Sequence, residues 1–428
     1  MIEKIKAALA QENIATWKIV EEKVSAQELF LIQAEVDMNR SKQVTHYHIT
    51  VYADFEEDGQ KYRGSANTTF SPAMTGEEIC ERIRTVYYAA GFVKNEWYPL
   101  TEQIVEKGER LKSALAAENV LPIVKQIFSA IYQAEGVQNH INATEIFVEK
   151  HAYRVMNSLG LDICFEQYKG EIEVVTHAES EEIAVEVDRM YQFADSRPEE
   201  LQAQITAQMQ ETIWRLNAKR IESLKDIPVI LSNQAVASFF DFYYAQAGAQ
   251  LVYENISSAK IGESFQGQVQ GDKLTMTLVP LLANSSQSAS YDMDGTLLKD
   301  TRLYQDGKLL CYHGNRQYCS YLNVETTGLI PNIKVEAGSL SYAAMTATPH
   351  IELLVFSDFQ ANEVNGVIGG EIRLARYFDG KNYHEVTGMS MAADIPTIQE
   401  NLYFSKEMIQ YDNYYGPAHI YFPSLTIS

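Results

Sequence analysis

Short strand patterns separated by Gly, Asn and Asp turns fill the sequence from residue 227 to its C-terminal end. One helix pattern, at residues 235–246, interrupts them directly after the apolar run Ile-Pro-Val-Ile-Leu. Short strands at this spacing are typical of a large antiparallel sheet or a barrel-like domain. The clearest of these strands are residues 273–279, 303–305, 308–313, 351–356, 370–377 and 420–427.

The first half of the sequence groups helices and hairpins in blocks. Thr75 is a predicted N-cap, because Glu78 stands at the capping-box position of the helix that follows. Ser196 is available as the cap of another helix, at residues 198–220. Residues 1–12 and 121–134 also predict helices. Predicted strands are residues 17–24, 28–37, 45–55, 61–70, 144–154, 162–167 and 171–177, with turns at 56–59, 157–160 and 168–170.

This order of elements predicts an α+β fold of more than one domain, because 428 residues exceed what one compact core accommodates. We expect an N-terminal α+β domain of hairpins and helices at residues 1–222, with a possible sub-domain break near 96–120. We expect a C-terminal domain at residues 223–428, built as a large antiparallel sheet or barrel-like structure.

The charge of the chain constrains its partners. The formal net charge is -22, from 35 basic and 57 acidic residues. A field of this sign repels nucleic acid and anionic membranes, so we expect neither as a direct partner. The four cysteines show no CxxC spacing, and the N-terminus lacks an apolar signal-peptide core. These features predict a soluble, cytoplasmic protein in a reducing compartment.

The string from Asp292 to Thr296 matches the DxDGT signature of haloacid-dehalogenase-type phosphatases. In those enzymes the first Asp is the nucleophile and the second a general acid or base. That chemistry requires the first Asp at the end of a buried parallel strand, whereas a polar Ser/Asn segment precedes Asp292 here. The alternative is a turn in which Asp292, Asp294 and Gly295 satisfy backbone groups. We favour the turn.

Two groups of residues contain possible metal ligands. Cys311, His313 and Cys319 lie close together, but no fourth ligand is apparent and a closed zinc site needs four. His384 and Glu385 form a His-Glu pair, yet no second histidine follows at zincin spacing. We therefore interpret all of these residues as structural.

As an ordered series, the blocks of the C-terminal half resemble the TldD/PmbA family, also labelled modulators of DNA gyrase. The blocks include Ile227–Leu231, Tyr291–Thr296, Tyr304–Leu309, Glu325–Gly328 and Pro423–Ile427. Residues 154–161 are similar to a further family segment. The family-motif residues, interpreted as structural, are Asn157, Gly160, Gly262, Asp292, Asp294, Gly295, Gly307, Gly328, Asn365 and Gly366.

The resemblance breaks at the family's zinc motif. TldD-type members resemble zinc peptidases with His-Glu-x-x-x-His on the helix after the Pro-Val-hydrophobic strand, where two histidines hold the metal. The equivalent helix here, residues 235–246, contains no histidine, glutamate or cysteine. Its degenerate active-site residues are Phe239, Phe240, Asp241, Tyr243 and Tyr244. We expect these aromatic side chains to pack the core, or else to wall a peptide cleft.

The absence of the motif resembles the PmbA/TldE branch of the family. The resemblance implies a bacterial, non-catalytic subunit of a TldD-type peptidase complex for proteolysis or peptide maturation. We expect no catalytic residue, metal or cofactor on this chain, and zinc only on a TldD-like partner. The alternatives are a homodimeric binding or scaffold protein that keeps the fold without the chemistry, and a phosphohydrolase that uses Asp292 and Asp294.

Overall fold

The computed structural model describes residues 1–104 and 106–428; Val105, within the predicted connection between sub-domains, lies outside the described residues. The first half contains one antiparallel sheet and four α-helices in the described residues. These elements are α1 (Ile2–Gln11), β1 (Thr16–Ile32), β2 (Glu35–Glu57), β3 (Gln60–Phe70), α2 (Gly76–Ala90), α3 (Leu121–Tyr132), β4 (His140–Asn157), β5 (Asp162–Glu179), β6 (Ala184–Phe193) and α4 (Pro198–Asn217).

The sheet of the first half has the strand order β3-β2-β1-β4-β5-β6. Helices α1 and α2 cover one end of one face, where Ile19 and Ile49 are fully buried. Helices α3 and α4 cover the other end of that face, around Ile172 and Val174. Side chains of a strand point alternately to its two faces, so every second residue lies on the same face. The buried residues under both helix pairs therefore belong to one face of the sheet. Each helix pair thus buries one end of a single sheet.

Several predictions for the first half were wrong in their boundaries. Residues 28–37 are not one strand, because β1 runs on to Ile32 and the chain then turns at Gln33, whose φ is 54°. Gln is an unusual residue at such a position, which favours Gly or Asn. Strand β6 was not predicted at all.

The turn predicted at residues 168–170 does not exist, since β5 continues through it. Gly170 instead allows a close approach, because a Cβ there would lie 2.2 Å from Cε2 of Phe193 on the neighbouring strand. Ser196 does not cap α4 either. Its hydroxyl has no hydrogen-bond partner among the described residues, and Pro198 opens the helix.

The second half contains two further sheets and five α-helices within the described part of the chain. Its elements are β7 (Lys219–Arg220), β8 (Leu224–Leu231), α5 (Ala235–Gln246), α6 (Ala249–Tyr253), β9 (Met276–Val279), β10 (Thr301–Gln305), β11 (Lys308–Leu309), α7 (Arg316–Tyr321), β12 (Asn332–Val335), α8 (Tyr342–Met345), β13 (His350–Phe356), β14 (Gln360–Ala361), β15 (Val367–Phe378), β16 (Tyr383–Thr387), β17 (Met389–Asp394), α9 (Ile395–Ile398), β18 (Tyr403–Phe404), β19 (Met408–Tyr411), β20 (Tyr414–Pro417) and β21 (Ile420–Ile427).

These sheets confirm the predicted α+β fold class. One sheet has the order β11-β10-β9-β12-β20-β19, and the main path of the other is β18-β21-β8-β13-β15-β16-β7. Most pairs are antiparallel, although β8 pairs with β13, β7 with β16 and β12 with β20 in parallel. Strand β11 ends at Leu309, so the strand predicted over residues 308–313 is shorter than expected.

Helix α5 lies in the core between the two sheets of the second half. Val229 and Leu353 of one sheet and Leu278 and Ile333 of the other are buried in the same cluster as the aromatic residues of this helix. A helix that is apolar on most of its surface requires such a position, because no single face can be left in water. The core therefore fixes α5 from both sides.

The two halves contact each other through packing and charge. Val155 and Phe165, on the uncovered face of the first sheet, pack against Tyr291 of the second half. Lys18 on β1 forms an ion pair with Asp294. Strand β7, although it precedes the predicted boundary at residue 222, pairs with β16. The boundary itself stays a prediction.

None of the helices in the described residues has the length and apolar character needed to cross a lipid bilayer.

Candidate functional site

The aromatic residues of α5 are core residues. Phe239, Phe240 and Tyr243 are fully buried. The ring of Phe240 stacks on that of Tyr414 at a centroid distance of 5.4 Å. The Tyr243 hydroxyl donates to Oε1 of Gln399 at 3.2 Å, so its polar end is also satisfied. These contacts agree with the expected packing role of the aromatic side chains.

The other side of α5 lines a cavity of about 640 Å³, here called the α5 cavity. Ala237, Ser238 and Asp241 supply its α5 wall. Residues three and four positions apart share a helix face, which is why these three point the same way. A volume of this size lies within the range of small-molecule and peptide-side-chain sites.

The opposite walls of the α5 cavity come from both halves of the chain. Strand β6 and the start of α4 contribute from the first half, and the hairpin of β19 and β20 contributes from the second. Both β6 and β19 are edge strands of their sheets. The wall residues include Met190, Gln192, Asp195, Arg197, Glu200, Gln204, Asn284, Met408, Ile409, Gln410, Tyr411 and Asp412.

Asp241 is the unusual titratable group of the α5 cavity. Burial, and then the nearby carboxylate of Glu363, raise the pKa of Asp241 to about 7. No protein group donates a hydrogen bond to this carboxylate within residues 1–104 and 106–428. A carboxyl group with such a pKa changes its charge near neutral pH and remains available to a ligand.

The other acidic side chains of the α5 cavity are engaged by the protein. Asp195 accepts a hydrogen bond from the Ala114 amide at 2.7 Å. Asp412 accepts bonds from the amide and the hydroxyl of Ser286, at 2.7 and 3.0 Å. Their role is therefore to fix the loops that form the cavity wall.

This chain is similar to a known protein family in the region that contains α5. A sequence profile for the PmbA/TldA metallopeptidase C-terminal domain matches residues 224–428, the region that contains α5 and the β19–β20 hairpin. Residues 224–428 therefore form a C-terminal domain of the TldD/PmbA family. A search of curated proteins gave no match.

Solved structures share the fold over the whole chain. TldE from Thermococcus kodakarensis is 15% identical with a TM-score of 0.80, covering 100% of this chain and 99% of that protein. A candidate modulator of DNA gyrase from Thermotoga maritima is 16% identical with a TM-score of 0.79, covering 100% of both chains. Another, from Bacteroides thetaiotaomicron, is 14% identical with a TM-score of 0.78, covering 100% and 98%. At these identities the likeness establishes the fold.

The zinc implied by the TldD/PmbA family does not fit the residues present. A catalytic zinc takes three protein ligands from His, Cys, Asp or Glu. Helix α5 offers one such side chain, Asp241. Across the described residues no three such side chains come close enough together to hold a metal ion. Asp241 therefore lacks the further ligands that metal binding requires.

The Asp-x-Asp-Gly segment of this chain forms a turn. The Asp292 carboxylate accepts bonds from the amides of Asp294 and Thr296 at 2.9 and 2.8 Å. Gly295 has a φ of 77°, a conformation that glycine adopts without strain. Burial, and then the charge of Asp294, raise the pKa of Asp292 to about 6. Asp292 thus organises a loop and does not follow a parallel strand, as the phosphatase mechanism would require.

The other family-motif residues also lie in turns. Asn157, at the end of β4, accepts bonds from the amides of Leu159 and Leu161, and Gly160 completes that turn. Asn365 accepts a bond from the Val367 amide. The positive-φ glycines of the remaining motifs are Gly262, Gly307, Gly328 and Gly366.

Gly366 connects one motif turn to α5 directly. A Cβ at this position would lie 2.6 Å from Cδ of Pro396 and 3.0 Å from Cε2 of Phe242. The turn can therefore approach α5 only because residue 366 has no side chain.

The remaining candidate metal ligands do not form a metal site, and the two histidines among them bond to other protein groups. Cys311 and Cys319 are free thiols, and Nε2 of His313 bonds to the Tyr244 carbonyl at 2.9 Å. Burial lowers the pKa of His313 to about 4, so it is neutral at physiological pH. His384 lies on β16, not on a zincin-type helix, and pairs with Asp379.

Sequence reasoning missed most walls of the α5 cavity. Met190 and Gln192 belong to the unpredicted strand β6, and Ile409 and Gln410 to a hairpin that no motif distinguishes. The start of α4 also borders the cavity, through Arg197 and Glu200. Only Asp241 could be recognised from the sequence, because it is the single carboxylate in an aromatic helix.

Proposed function

We propose that this chain is the non-catalytic, PmbA/TldE-like subunit of a TldD-type zinc peptidase complex. One observation carries the proposal: α5 lines a cavity, but Asp241, its one side chain there of a metal-binding type, has no companion ligands among the described residues. A histidine in place of these fully buried rings would put a polar imidazole into an apolar core. Zinc and bond cleavage would belong to the partner.

The contribution of this subunit would be to hold or guide peptide. Strands β6 and β19 present sheet edges at the α5 cavity, and an extended peptide can pair with such an edge through its backbone. Met190, Ile409 and other apolar wall residues would contact alternate side chains of that peptide. This arrangement supports peptide as the ligand class, and the free cysteines are compatible with a cytoplasmic site of action.

The test combines metal analysis with a peptide-cleavage assay. The purified chain is measured alone and mixed with a TldD-like relative that carries His-Glu-x-x-x-His. We expect no stoichiometric zinc and no cleavage from this chain alone, with cleavage by the mixture. A relative whose motif glutamate is changed to glutamine serves as the control and should abolish activity of the mixture.

Two results would contradict the proposal. Stoichiometric zinc with cleavage by this chain alone would make it a catalytic subunit. Self-association without binding to the relative, measured by light scattering after gel filtration, would favour the homodimeric scaffold instead.

A further inference from the structure

The α5 cavity contains one carboxylate that the protein itself leaves without a hydrogen-bond donor. Asp241 is half-buried, lines the cavity, and receives no such bond in the described part of the chain. Ser238 lies three residues earlier on the same helix face, and its hydroxyl likewise has no protein partner among residues 1–104 and 106–428. Both groups face the cavity with hydrogen-bonding capacity that the protein does not use, so they are available to a ligand there.

The charges around Asp241 favour a cation as that ligand. Arg197 is the one basic side chain that lines the cavity in the described residues, and it is paired with Glu200 at 3.2 Å. From outside the cavity, Glu363 adds negative charge beside Asp241. The titratable groups that face this region from the surrounding elements are Asp195, Asp412, Tyr191, Tyr244, Tyr411 and Tyr414.

We infer that the α5 cavity is a specificity site for a cationic side chain, with Asp241 as the carboxylate that receives the ammonium or guanidinium of a peptide Lys or Arg. Ser238 would accept a further hydrogen bond from the same group. The apolar wall residues Met190 and Ile409 would contact the methylene stem. This inference rests on the proposed peptide-holding function and specifies the class of peptide.

Ionisation of Asp241 makes the binding dependent on pH. Only the carboxylate form attracts the cation, and the pKa of Asp241 in the empty cavity is about 7. Raising the pH from 6 to 8 converts most of the group to that form and should increase affinity about tenfold. An adjacent cation would lower this pKa, so binding should release a proton near pH 7.

The experiment is calorimetric titration of the intact chain with three short peptides. The probe is N-acetyl-Ala-Lys-Ala-amide, and its neutral counterpart contains norleucine in place of lysine. Ala-norleucine-Ala-amide with a free N-terminus separates the side-chain ammonium from the α-ammonium. We expect the lysine peptide to bind at least tenfold more tightly than either comparison peptide at pH 8.

Three variants identify the residue responsible. Asp241→Asn should abolish the preference for lysine and its pH dependence. Glu363→Gln removes the neighbouring charge and should lower the pKa of Asp241, so that lysine binding persists at pH 6. Asp58→Asn makes the same charge change in a distant exposed turn, where φ is 52°, and should alter affinity less than twofold.

Several outcomes would overturn the inference. These are equal binding of lysine and norleucine peptides, no binding of any peptide, or unchanged lysine preference in Asp241→Asn. An unshifted pH profile in Glu363→Gln would also contradict it, and circular dichroism would show whether each variant is folded. Equal binding of all peptides would leave the peptide-holding proposal intact, because that proposal is tested separately by the zinc and cleavage assays.

Discussion

At the scale of single residues, Asp241 links the free energy of unfolding to pH. Its pKa rises from a model-compound value of 3.8 to about 7 in the folded chain, so the folded state holds this proton more tightly. The stability that the protonated group provides is complete below pH 4 and is lost as the pH rises through 7. Asp241→Asn cannot ionise and avoids this loss.

We therefore expect the free energy of unfolding of Asp241→Asn, relative to the natural chain, to rise by about 4 kcal/mol between pH 4 and pH 8. Urea unfolding of both proteins at several pH values measures the difference. Other titrating groups contribute equally to both and cancel. A constant difference across this range would show that the pKa of Asp241 is not raised.

Sequence spacing predicted local contacts between neighbouring residues well and distant ones poorly. Thr75 and Glu78 form the predicted capping box, in which the Glu78 amide donates to Oγ1 of Thr75 at 3.3 Å and the Thr75 amide donates to Oε2 of Glu78 at 2.8 Å. Gly170 was misinterpreted as a turn residue because its real constraint, the ring of Phe193, lies on another strand. Contacts between residues that are distant in sequence cannot be predicted from the local sequence pattern.

Loss of the capping box should destabilise α2. Thr75→Ala removes the side-chain acceptor and should lower the free energy of unfolding by about 1 kcal/mol. Ser71→Ala, four residues earlier in an exposed turn, is the control and should change it by less than about 0.5 kcal/mol. Urea denaturation measures both; equal effects would mean that the cap contributes nothing.

At the scale of elements, α5 should be sensitive to loss of its aromatic rings. Phe240 is fully buried and contacts Phe404 at a centroid distance of 5.3 Å, so Phe240→Ala leaves a cavity between the two sheets. The free energy of unfolding should fall by about 3–5 kcal/mol. Phe92→Ala, at a side chain that is 72% exposed, should change it by less than about 0.5 kcal/mol. Similar values for the two variants would argue against a core position for α5.

Elements with a strong periodic pattern could be predicted, and elements defined by their partners could not. The bounds of α5 follow from its own sequence, since its 12 residues follow Asn233-Gln234 and only Ala247 separates them from Gly248. Strand β6 escaped prediction because Arg189 interrupts the apolar positions of its alternating pattern, and its partner Glu211 lies on α4. The α5 cavity could not be predicted either, because its walls come from segments that only tertiary packing brings together.

At the scale of the whole molecule, the Lys18–Asp294 ion pair should couple the two halves. Both side chains are partly shielded, with 17% and 34% of their surface exposed. A double-mutant cycle with Lys18→Met and Asp294→Asn should give a coupling free energy of about 1 kcal/mol. Strict additivity of the two changes would show that the pair contributes nothing to the contact between the halves.

The order in which the chain is synthesised has a consequence for β8. This strand lies between β13 and β21, and β21 is made roughly 190 residues after β8 leaves the ribosome. At about 5 to 20 residues synthesised per second, the interval is about 10 to 40 seconds. Throughout that time the apolar segment Ile227–Leu231 lacks one of its two neighbours. The nascent chain is therefore exposed to aggregation at this segment until its last strand is made.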